Sequence, residues 1–184
     1  MINLKKSIIS IIFLISVIFL SGCSSKTEVR DRAFVQAIGI SENNDTITVA
    51  VKLFDDDESY SGTGKNFDEA LKNAQYSQGN NFFTGHTEFI VSSTADNKNL
   101  LCGIIKSNDI PPSCTFIASD SAISVISEAD CDKIAGIIKI RSQNGNAFRK
   151  SIWNVLEELN DNGFSDTDMI SRTGNIKSAR ISAD

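Results

Sequence analysis

The sequence predicts an α+β domain with a mixed, mainly antiparallel sheet of about four strands, opened by an N-terminal hairpin and covered by helices. Three observations carry this. Two apolar segments near the start have strand patterning and are joined by turn residues. Several later segments repeat apolar residues at helical spacing behind capping residues. The 184 residues are 41% hydrophobic and 22% charged with two prolines, a globular composition at about the length of one domain.

Ala33 to Ile40 is apolar at nearly every position, as in a strand covered on both faces. Thr46 to Phe54 alternates, with Ile47, Val49, Val51 and Leu53 on one face. Ser41-Glu42-Asn43-Asn44-Asp45 between them has turn composition, so the pair is an antiparallel hairpin.

Asn66 followed by Glu69 resembles a capping box, with Phe67, Ala70, Leu71 and Ala74 on one helical face and Gly79 as the stop. A strand follows at Thr87 to Ser92. Asp96 caps a helix burying Leu100, Leu101, Ile104 and Ile105, and Pro111-Pro112 forbids its continuation. Cys114 to Ala118 returns to strand. Ser119 or Asp120 caps a short helix carrying Ile123 and Ile126, and Asp130 caps another burying Ile134, Ile137 and Ile138. From Ala147 to Asn160, Phe148, Ile152, Val155, Leu156 and Leu159 form an apolar stripe that Asn162-Gly163 ends. Residues 164–184 read as a polar tail.

Lys5 and Lys6 precede an apolar run from Ile8 to Leu20 that is short for a bilayer span of about 30 Å. Leu20-Ser21-Gly22-Cys23 follows and resembles a bacterial lipobox, in which the cysteine becomes the lipidated N-terminus. The alternatives are an uncleaved anchor helix or an ordinary signal peptide. Residues 1–22 are thus expected to be a lipoprotein signal peptide, 23–29 a lipidated tether and 30–163 the domain. Two acyl chains would anchor Cys23 with a gross energy on the order of 20 kcal/mol.

The net charge of −5 speaks against nucleic acid, whose affinity comes mainly from cations placed on phosphates. A single histidine excludes sites needing two imidazoles. Gly62-Thr63-Gly64-Lys65 fails as a phosphate loop, because Asn66 stands where Ser or Thr should ligate magnesium. Asp55-Asp56-Asp57-Glu58 fails as an EF-hand, with Tyr60 at the glycine position. Cys102, Cys114 and Cys131 are not a disulfide framework; buried free thiols are favoured over one bridge. His86 is the only imidazole base for a nucleophile, and a structural role at a strand entrance is favoured. No catalytic residue, cofactor or metal site is expected.

Four segments carry a family resemblance. They are the lipobox at Cys23, Asp31-Arg32-Ala33-Phe34-Val35-Gln36-Ala37-Ile38-Gly39-Ile40, Gly64-Lys65-Asn66-Phe67-Asp68-Glu69-Ala70-Leu71, and Phe82-Phe83-Thr84-Gly85-His86-Thr87-Glu88-Phe89-Ile90-Val91. Together they resemble the N-terminal domain of the Ger(x)C spore-germination lipoproteins, over roughly Arg30 to Gly163. Family members usually show Trp-Asp after the lipidated cysteine, where this chain has Ser24-Ser25.

The resemblance implies a non-enzymatic C subunit of a nutrient germinant receptor. Such a subunit is lipid-anchored on the outer face of the spore inner membrane, beside integral membrane subunits of the A and B types. It makes Gly39, Glu69, Gly85 and His86 fold-defining positions, Gly39 as a strand-end glycine allowing close backbone approach. The alternative function is a lipid-anchored extracytoplasmic module binding a small solute or a surface. A surface enzyme pairing His86 with one of the three cysteines ranks last.

Overall fold

The computed structural model describes residues 32–107, 109–145 and 149–183. The expected export segment and tether, with Cys23, lie outside the described residues, as do Ala147 and Phe148.

β1 (Arg32–Asn43) and β2 (Thr46–Leu53) form the expected antiparallel hairpin. Its turn shrinks to Asn44 and Asp45, whose φ of 47° and 59° make a two-residue connection matching the twist of the strands. β3 (Ser59–Gly64) extends the hairpin antiparallel to β2, and α1 (Phe67–Gln78) follows. β4 (Asn81–Phe83) and β5 (Phe89–Ser92) both run parallel to β1. α2 (Asn97–Ser107) leads to β6 (Thr115–Ser119), parallel to β5. Then come α3 (Ala122–Glu128), α4 (Cys131–Gln143), the short β7 (Lys150–Ser151) against β6, and α5 (Ile152–Asn162). β8 (Phe164–Ile170) lies parallel to β6, and β9 (Ile176–Ser182) pairs antiparallel with β8.

The sheet therefore has nine strands among the described residues, not about four, in the order β3-β2-β1-β5-β6-β8-β9, with β4 on β1 and β7 on β6. Antiparallel pairing gives the longest registers, at the two ends, while parallel pairing joins β1, β5, β6 and β8 in the middle. The expected polar tail is the β8–β9 hairpin instead. β8 hides polar side chains by bonding them: the Ser165 hydroxyl donates to Glu158 (2.8 Å) and that of Thr167 to the Phe116 carbonyl (3.3 Å).

Helices cover both faces. Ile38, Ile40, Val49, Val51, Ile90 and Phe116 pack with α1, α2 and α5. Ala37, Ala50, Phe89, Val91 and Ile117 pack with α3 and α4. This double burial explains the near-continuous apolar run of β1. The register of β1 on β2 shifts between Val35 and Ala37, so that Val35 shares a face with Ile38 in spite of its odd spacing.

The local start signals hold in part. Asn66 caps α1 by accepting from the Glu69 N–H at 2.9 Å, while the Glu69 carboxylate reaches the Lys65 N–H at 2.9 Å, one residue earlier than in a strict capping box. Asp96 accepts from the Asn99 N–H and Asp130 from the Lys133 N–H. For α3 the cap position is Ser121; Ser119 ends β6, where its hydroxyl accepts from the Ser121 N–H and donates to the Ile170 carbonyl. α5 begins at Ile152 behind the cap Ser151, later than its stripe suggested, because Lys150 and Ser151 pair with β6.

Candidate functional site

The bulge at Gln36 faces a gap between β4 and β5, the two short strands that pair with successive parts of β1. The gap is a turn in which the Thr87 N–H donates to the Thr84 carbonyl and the Glu88 N–H to the Gln36 carbonyl. Gln36 is buried, and its side-chain amide donates to Glu88 (3.3 Å) and to Asp132 of α4 (2.5 Å). Through Gln36 of β1 the turn before β5 and the first turn of α4 are thereby fixed against each other.

Gly85 and His86 form the outer part of this turn. A Cβ at Gly85 would stand 2.8 Å from the ring of Phe83, so the glycine is what lets that ring lie on the backbone. The Phe83 ring meets Phe34 edge-on at 5.4 Å and His86 at 5.3 Å, and His86 stacks on Phe34 at 6.0 Å with 27° between the planes. The Arg32 guanidinium sits over Phe83 at 5.5 Å. His86 itself is exposed and packs against the rings of Phe34 and Phe83. Phe34, Phe54, Asp55, His86 and Glu88 line an open recess of about 480 Å³ at this end of the sheet. Of these five the sequence singles out His86 and, only as part of a rejected calcium loop, Asp55. Phe34 and Glu88 lay unremarked within the two quoted segments, and the Phe54-Asp55 step gave no signal beyond strand end followed by acidic loop.

The other singled-out residues lie elsewhere. Gly39 is in the interior of β1, not at its end, and a Cβ there would stand 2.6 Å from the Ala122 carbonyl oxygen of α3. The Gly62-Thr63-Gly64-Lys65 segment is neither a phosphate loop nor a plain turn. Gly62 and Gly64 are strand residues on which α1 rests, with virtual Cβ positions 2.2 Å from the Ala74 nitrogen and 2.5 Å from the Ala70 nitrogen. Asp56 of the acidic loop accepts from the Tyr60 hydroxyl at 2.6 Å, and this hydrogen bond raises the phenol to about 12.

The three described cysteines are free thiols. Burial pushes Cys131 up to about 11 and raises Cys114 as well, so neither supplies thiolate near neutral pH. Cys102 is half-buried on α2, lining a separate groove with Trp153 and Leu156 of α5. Among the described residues no cysteine lines the recess at His86. Among the described residues no group of three His, Cys, Asp or Glu could hold a metal ion, and no helix is long and apolar enough to cross a membrane.

The segments packed around this recess and under α1 fall within a single sequence match. A family model described as the spore germination protein N-terminal domain covers residues 25–167. The chain belongs to this family. No curated protein and no solved structure matches it. The spore germination domain as matched takes in every element from β1 to α5 and the first part of β8, and stops before β9. Family membership suggests a role in germinant receptor function and association with the spore membrane.

Proposed function

We propose that this protein is a non-enzymatic lipoprotein, anchored by lipid on Cys23 at the extracytoplasmic face of the membrane, that acts as a component of a nutrient germinant receptor beside integral membrane subunits of the A and B types. The observation that carries the reading is the family match from residue 25, which begins directly behind the lipobox cysteine. In the spore, that membrane is the inner one.

The chemistry of the domain supports a role by contact. Catalysis by a Cys–His pair needs an available thiolate within reach of its base. Two of the thiols are interior and held protonated, and His86 is packed against Phe34 and Phe83. A sheet buried on both faces and pinned by close helix–strand contacts is a stiff platform for presenting surface residues to neighbours.

Detergent extraction of spore membranes followed by pull-down of the tagged chain tests the proposal. The wild type is expected in the membrane fraction together with A- and B-type subunits, and Cys23→Ala in the soluble fraction without them. Unchanged membrane retention of Cys23→Ala refutes the anchor. Unchanged nutrient germination after deletion of the gene refutes the receptor role.

A further inference from the structure

The recess at the His86 end of the sheet has a lining of one chemical character. Phe34, Phe54 and His86 contribute π-systems, Asp55 and Glu88 contribute carboxylates, and among the described residues neither lysine nor arginine lines it. Ring faces carry negative potential and attract cations, most strongly organic ammonium groups that shed their water readily. Carboxylates beside such rings add charge attraction and oppose any ligand carrying its own carboxylate. The same aromatic cluster already holds one cation on its far ring, the guanidinium of Arg32 over Phe83.

The lining is also held in place. Phe54 is fixed to Phe34 by its backbone N–H on the Phe34 carbonyl at 3.1 Å. Glu88 is held by the Glu88 N–H on the Gln36 carbonyl and by the Gln36 amide on its carboxylate. Phe54 keeps 40% of its surface exposed, so its ring is accessible to a ligand in the recess. None of these five side chains is needed to cap a helix or to fill either core cluster.

We propose that this recess binds an organic ammonium group, primary or quaternary, on a ligand without a carboxylate. The ammonium packs against Phe34, Phe54 and the His86 imidazole, and Asp55 and Glu88 balance its charge. The ligand is either a free amine or the headgroup of a lipid. The site is open, so binding is weak, with a dissociation constant on the order of 1 mM. The inference does not depend on the receptor reading; it stands or falls on the recess alone.

The test uses the full chain in the presence of phosphatidylglycerol vesicles and saturation-transfer NMR with two probes of the same shape. These are choline and its uncharged isostere 3,3-dimethylbutan-1-ol. Choline is expected to show saturable binding and the isostere none. Asp55→Asn and Phe54→Leu are each expected to weaken choline about twofold to fivefold, and the double variant about tenfold. Tyr76→Leu, at an exposed aromatic on α1 with Lys72 over its ring, is expected to change nothing. Adding phosphatidylethanolamine to the vesicles assigns the source: weaker apparent choline affinity identifies the lipid headgroup, and unchanged affinity identifies a free amine. Equal binding of both probes, no binding of choline, or choline binding indifferent to Asp55→Asn and Phe54→Leu overturns the proposal. Circular dichroism of each variant separates loss of the site from loss of the fold.

Discussion

Gly62→Ala tests whether α1 is set directly on the backbone of β3. The added methyl would stand 2.2 Å from the Ala74 nitrogen and 2.4 Å from the Ala70 carbonyl oxygen, both main-chain atoms of the helix. Ordinary contact begins at 3.4 Å, so the helix must retreat by more than an ångström or the strand must leave the sheet. Retreat would loosen Ala70, Leu71 and Ala74 from the core they share with Val49 and Val51. Overpacking of a tight interior costs about 1–3 kcal/mol, and a clash with backbone belongs at the upper end, about 3 kcal/mol. At this chain length that lowers Tm by about 6–12 °C. Gly103→Ala is the matched control, because a Cβ on that residue of α2 meets nothing within 4 Å. Replacing a helical glycine in open space should stabilise by about 0.5–1 kcal/mol. Thermal and urea unfolding of the full chain in detergent measure both. A Gly62→Ala protein within about 0.5 kcal/mol of wild type, the spread of ordinary surface substitutions, would refute the placement of α1.

Three further outcomes follow from local geometry. Asn66→Ala removes the acceptor for the Glu69 N–H and should cost about 1 kcal/mol, read as a shift of the urea midpoint with unchanged slope. In the folded chain at pH 8, iodoacetamide should modify Cys102 before Cys114 and Cys131, which react only when the chain unfolds, as mass spectrometry of peptides will show. The Glu158 carboxyl is held below its ordinary 4.5, first by the hydrogen bond from Lys150 and also by Ser165, so its proton binds more weakly in the fold than in the unfolded chain. That contribution is present above about pH 4.5, is lost as pH falls through the depressed value, and is about 0.2–1 kcal/mol for so exposed a pair. Glu158→Gln should flatten this part of the acid limb, and an unaltered pH profile of the urea midpoint would refute the assignment.

Legibility in the sequence followed the range of the signal. The β1–β2 hairpin and the start of α1 were readable because their information is local: alternation, a turn, and a cap three residues from its partner. β3 was not, since Ser59-Tyr60-Ser61-Gly62-Thr63-Gly64 has Tyr60 as its one large side chain and two glycines. Its glycines are there for the helix above it, a requirement visible only once α1 is in place. β8 was read as tail because Ser165, Thr167 and Asp168 look solvated, yet all three are buried, with Ser165 and Thr167 bonded to Glu158 and to the Phe116 carbonyl. The recess was unreadable for the same reason on a longer scale. Gln36 and Glu88, 52 positions apart, meet only through parallel pairing of β1 with β5.

The residues that carried the family resemblance divide by what the fold asks of them. Gly39 and Gly64 are required by helices lying on strands, Gly85 by the ring of Phe83, and Glu69 by the backbone N–H before α1. Each has a structural reason that no other side chain, or few, could satisfy. His86 has none of this kind. It is exposed, it packs against two rings that any planar or apolar group could cover, and the turn beneath it is closed by Thr84, Thr87 and Gln36. Substituting it by leucine should therefore leave the unfolding midpoint within about 0.5 kcal/mol of wild type, as for an ordinary surface site. Its imidazole is chemistry in excess of what the architecture needs, and it stands on the rim of a recess lined by rings and carboxylates. Local geometry accounts for the glycines and the cap; on the ammonium proposal above, His86→Leu weakens choline binding while leaving the unfolding midpoint in place.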